Sequence, residues 1–128
     1  MVKERIHIQD LHFEHKLWNS ELAFYKDELS ILEPRLTELV GKYTNKEVLT
    51  GIEHFQNQFL LQKVEIHKLH NNIRAHEHNL ATFAEDHPIA IDHYHFSDHR
   101  PLREQVERQR AIYNDLKKEF FIFLDRWM

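Results

Sequence analysis

The sequence predicts an all-α protein: an antiparallel bundle of three long helices with coiled-coil-like packing, in one domain over residues 1–128. Three observations predict it. Glycine and proline, the residues that punctuate chains, number only 2 and 3 among 128, so long uninterrupted elements are expected. Apolar residues recur at alternating steps of four and three in three separate stretches. Helix-start and helix-stop signals fall between those stretches.

The first stretch runs through Leu11, His15, Trp18, Leu22, Tyr25, Leu29, Leu32, Leu36 and Leu39. Residues 1–9 are a short lead-in and Asp10 is a suitable N-cap, so the first helix is placed at about 10–42. Pro34 lacks an amide donor and clashes with the preceding turn, which predicts a kink or a restart there. Gly41 supplies the stop.

The second stretch, Val48 to Phe83, passes through Ile52, Phe55, Phe59, Gln62, Ile66, Leu69, Ile73, His76 and Leu80. Thr44 and Glu47 have capping-box spacing. Pro88 ends the pattern, because the residue before a proline disfavours helical geometry. This helix is placed at about 45–87. The third is placed at about 98–127, capped by Ser97 or Asp98 with Pro101 in its first turn, and its seam runs Leu102, Val106, Gln109, Tyr113, Leu116, Phe120, Phe123 and Trp127.

Composition removes several functions. The chain has no cysteine, which excludes disulfides, thiolate nucleophiles and iron–sulfur clusters. A net charge of −4 argues against a nucleic-acid partner, which calls for concentrated Lys and Arg. The longest apolar run, Phe120–Leu124, is far short of the ~20 residues that span a bilayer. No secretory signal pattern opens the chain, and a cytoplasmic location is expected. No glycine-rich phosphate loop and no nucleophile–base spacing can be read, so no organic cofactor is expected and the balance leans away from an enzyme.

Histidine is the outlier, at 12 residues. Short connections force neighbouring helices antiparallel. Counting back from each turn brings His7, His12, His15, His76, His78, His87, His93, His95 and His99 to one end of the bundle. His15 and His76 occupy seam positions where apolar residues belong, and Gln109 falls at nearly the same level. A buried polar group left unpaired costs on the order of 1–3 kcal/mol, so this layer must be hydrogen-bonded or must hold a ligand.

Two readings follow. In the first, a transition metal ion (zinc, iron, copper or nickel) is bound by His12, His15 and His76, with His93, His95 and His99 contributing from the 88–97 connection and its edge. Glu14, Glu77, Asp86 and Asp92 are near enough to be ligands or partners of ligands. In the second, the protein is a non-enzymatic structural or interaction bundle whose histidines are incidental or respond to pH. Known metal bundles do not supply the pattern. Di-iron carboxylate bundles need Glu-x-x-His on two core helices, and only Glu4 with His7 has that spacing, in the lead-in. Hemerythrin-like spacings occur at His93 with Asp98 and at His95 with His99, but not on the helices where that family carries them.

The sequence also predicts self-association. Phe120 to Leu124, with Trp127 and Met128, cover more than one face of the third helix. At ~1.5 Å per residue, Trp127 reaches only about the level of residue 58, leaving residues 34–54 as a projecting hairpin. A homodimer through the aromatic third helix and this hairpin is the expected remedy.

Overall fold

The computed structural model describes residues 8–86 and 93–127, with side chains from 9 to 82 and from 99 to 127. Three helices pack against one another: α1 (Ile8–Val40), α2 (Lys46–Asp86) and α3 (His93–Trp127). Among the described residues there is no strand, and no helix is long and apolar enough to cross a membrane.

The four–three periodicity is the core. Every seam residue of α1 is buried, and so are the seam residues of α2 from Val48 to Ile73 and of α3 from Leu102 to Phe120. This packing carries α1 through Pro34 as one helix, with Leu32 and Leu36 buried on either side of it. The expected split is therefore absent. The proline forfeits one backbone hydrogen bond at an exposed position, and the flanking seam leucines hold the helix across it.

The ends of the helices differ in detail from expectation. Asn45, rather than Thr44, caps α2: its Oδ1 accepts the Glu47 amide at 2.8 Å. Gly41 follows the last residue of α1, and the chain turns there without a left-handed residue. The amides of Lys42 and Tyr43 both reach the Leu39 carbonyl, at 3.1 and 3.3 Å.

The larger correction concerns α3. It begins at His93, and Pro101 lies inside it rather than in its first turn. His93 and His95, expected in a connection, thus belong to the helix. Proline's fixed φ is already helical, so a helix tolerates it where packing compensates for the missing donor. The earlier start slides α3 along α2. Arg126 pairs with Glu47 at 3.0 Å, the Tyr43 hydroxyl donates to the Trp127 carbonyl, and the Phe123 ring lies against Gly51. A Cβ on Gly51 would collide with that ring, so the bare α-carbon makes room for it. The 34–54 tip is therefore covered by α3 and does not project.

α1 and α3 run parallel, in a register marked by a ladder of ion pairs: Glu14–Arg103, Glu21–Arg110 and Glu28–Lys117, each rung seven residues after the last. Each rung is partly exposed and contributes roughly 0.2–1 kcal/mol. The ladder's main effect is to oppose slippage of α3 by a turn.

Beside the third rung, the Tyr25 and Tyr113 rings stack at 4.2 Å, and the Tyr113 hydroxyl donates to Glu28. Burial and the Glu28 carboxylate push the Tyr113 phenol well above its usual 10; burial and Glu21 also raise Tyr25. A raised folded-state value means stability that is full below pH 10 and lost as pH climbs toward the folded values. Ultraviolet titration should show, by difference from Tyr25→Phe and Tyr113→Phe, that these two phenols ionise only above pH 10, together with unfolding. Ionisation at the ordinary value would mean that the stack is not buried.

Candidate metal centre

The site stands near the end of the bundle where α1 begins and α2 ends. His15 comes from the second turn of α1, His76 from the last third of α2 and His99 from the second turn of α3. Each occupies a seam position, so the helical repeat that builds the core also points the three rings at one another. His15 and His99 are buried, at 1% and 0% exposure, and His76 is half-buried.

The inner nitrogens converge. His15 Nε2 lies 3.3 Å from His99 Nδ1, and His99 Nδ1 lies 3.3 Å from His76 Nε2. One ligand atom from each ring falls within 4.8 Å of the other two. Nitrogens ~2.0–2.1 Å from a tetrahedral ion stand about 3.3–3.4 Å apart, so the spacing between neighbours suits such an ion.

The outer nitrogens are held by carboxylates. His15 Nδ1 pairs with Glu77, and His99 Nε2 pairs with Glu14. Glu14 is anchored in turn by Arg103, through contacts of 2.9 and 3.1 Å. The Trp18 indole stacks on His99 with centroids 5.0 Å apart and planes 21° from parallel, which fixes the ring's orientation.

Burial and neighbouring charge act on Glu14, Glu77 and His99. Burial opposes ionisation of Glu14, but hydrogen bonds from Arg103 and His99 and the Arg103 charge outweigh it and hold the carboxyl below its usual range. Burial likewise opposes ionisation of Glu77, and His15 and His12 overcome it. Burial lowers His99, and the adjacent Glu14 carboxylate only partly offsets this. At His99 a neutral imidazole therefore donates to an ionised carboxylate. A carboxylate accepts only, so His15 donates to Glu77 from Nδ1 and His99 to Glu14 from Nε2. The inner Nδ1 of His99 is left with a lone pair, 3.3 Å from Nε2 of His15 and 3.3 Å from Nε2 of His76.

The residues expected from the sequence divide as follows. His15, His76 and His99 come together. His12 is exposed and shares Glu77 with His15 through its own Nδ1, outside the trio. The side chains of His93 and His95 lie outside those described, as do those of Asp86 and Asp92. Gln109 is not in the histidine layer: it donates to Gln62 at 2.5 Å in a separate buried pair. The register of α3 brings His99, rather than Gln109, level with His76, so Gln109 stands ten residues, or ~15 Å, farther along the bundle.

Arg103 and Trp18 were not read from the sequence as parts of the site. Arg103 had a legible signal, since Glu14, Glu21 and Glu28 and Arg103, Arg110 and Lys117 share a seven-residue period. Trp18 had none beyond its place in the seam.

These features define an all-helical bundle with a buried three-histidine cluster. The chain matches no known protein family, no curated protein and no solved structure. Its functional reading is accordingly built from the site's own geometry.

Proposed function

We propose that this bundle binds one divalent transition metal ion through His15, His76 and His99. The observation that carries the reading is the convergence of one inner nitrogen from each of the three rings, with Glu77 and Glu14 paired to the outer nitrogens of His15 and His99. Carboxylates on the distal nitrogens of ligating histidines fix the tautomer and raise ligand basicity, and Glu14 and Glu77 stand where that role requires. Neutral imidazole without thiolate suits zinc, copper, nickel or iron. His12 keeps a part as the second residue on Glu77, and His95 stands one turn before His99 on the same helix. We assign the cluster no catalytic step.

Elemental analysis of untagged protein, purified without a nickel column and dialysed against zinc, tests this. About one equivalent per chain is expected for the wild type, against a loss in His15→Ala and His76→Ala but not in His54→Ala, whose ring lies exposed at the other end. Equal metal content in all four would sink the reading. Glu77→Gln should leave the fold intact and weaken zinc roughly 10–100-fold, the usual cost of losing such a partner. Unchanged affinity would show that Glu77 does not orient the ligand.

Self-association is a second reading, favoured by one observation. Leu17, Phe24 and Ile31 are exposed seven residues apart along α1, and the last of them lines a groove with Phe121 and Ile122, which are exposed on α3. A stripe of this kind fits a homodimer through α1 and α3, without the hairpin tip. Light scattering should give a dimer for the wild type and a monomer for Phe24→Glu with Ile31→Glu. A monomeric wild type at high micromolar concentration ends this reading.

A further inference from the structure

The trio supplies three donors, and a tetrahedral ion needs four. Among the described residues, only these three form a ligand group. The two nearby carboxylates are already engaged, Glu14 with His99 and Arg103, and Glu77 with His15 and His12. His76 is the one member of the trio that is not fully buried. It lines a groove of about 330 Å³ between α2 and α3, together with Asn72, Ala75, Asn79, Leu102 and Gln105. Among the described residues, the groove's polar side chains are two asparagines and a glutamine beside the histidine, with no lining carboxylate to repel an anion. A divalent ion with neutral imidazoles, two carboxylates and one guanidinium leaves the centre with a net positive charge.

Resting on the metal reading above, we propose that the fourth coordination position is open and reached through this α2–α3 groove, and that it holds water exchangeable for a small monodentate inorganic anion. The site is then a coordinatively unsaturated centre rather than a closed structural one. Its ligand class is set by charge: the positive centre selects an anion over a neutral molecule or a cation.

Cobalt(II) substitution of the untagged wild-type chain tests this, because the visible bands of the ion report metal uptake and ligand exchange separately. Appearance of the bands on cobalt addition, followed by a saturable shift on titration with azide, is the expected result. Ala75→Trp, an exposed position on the groove wall, should keep full cobalt uptake and weaken azide about tenfold or more. Bands that appear but ignore azide overturn the open position while leaving metal binding intact. Azide sensitivity gained only in His95→Ala also overturns it, by showing that an imidazole fills the fourth place. An undiminished response in Ala75→Trp overturns the groove as the route. Failure of the bands to appear removes the metal reading itself.

Discussion

Zinc at about a hundred times its dissociation constant should stabilise the wild-type chain by ~2.7 kcal/mol and raise Tm by roughly 10 °C, and His99→Ala should abolish that shift. The stabilisation arises because the three inner nitrogens are brought together only in the folded bundle, from three helices far apart in sequence. An ion that binds the folded state alone adds its binding free energy to folding. His99 is the sharpest place to cut, since its Nδ1 is 3.3 Å from both of the other inner nitrogens. In the absence of metal, His99→Ala also loses the Trp18 stack and one partner of Glu14, while Arg103 still holds the carboxylate. The variant is thus expected to fold, with a lower Tm that zinc does not restore. Calorimetry on chelated and zinc-loaded samples of both proteins measures the difference. An equal zinc shift in the two would place the ion elsewhere. The shift should also shrink from pH 7.5 to 5.5, because imidazole binds metal only when neutral.

Phe120→Ala should cost about 3–5 kcal/mol, a large share of the roughly 5–15 kcal/mol that holds a domain together. Phe120 is fully buried, with its ring 4.9 Å from Phe59 and 5.3 Å from Phe55. Truncation removes the aromatic contacts and leaves a cavity between two long helices that can close only partly. The neighbouring Phe121→Ala is the comparison: Phe121 is 46% exposed, and its loss should cost about 1 kcal/mol or less, well below that of Phe120. Urea unfolding of both variants separates them. Comparable losses would mean that α3 is rotated from the orientation described.

This pair of residues also shows what periodicity reveals and what it leaves open. The four–three spacing distinguishes Phe120 from Phe121 without any structure, because only one of them falls on the seam. It does not say which residues of α2 Phe120 will meet. With α3 begun at about 98, Phe120 would stand well short of Phe55 and Phe59, and the hairpin tip would lie bare. With α3 begun at His93, the Phe123 ring reaches Gly51 and Tyr43 meets Trp127.

The candidate site was legible in the same partial way. His15, His76 and His99 stood out as polar residues at the same end of the bundle, two of them on recognised seams, and Glu14 and Glu77 stood out as neighbours. Gln109 was assigned to the wrong layer, because its level depends on the register of α3. The pairing of the outer nitrogens with Glu77 and Glu14 was not legible at all, since it is decided by what lies across from each ring.

The amino-acid sequence alone determined that this protein is three helices with a heptad core and a histidine-rich end, because helix formation and burial are written in local spacing. Tertiary structure decided where α3 starts, and hence which polar residues meet. Pro101 is a local signal of a few kcal/mol against a helix interior. The buried seam from Leu102 to Phe120 and the ion-pair ladder to α1 are summed over many turns and outweigh it.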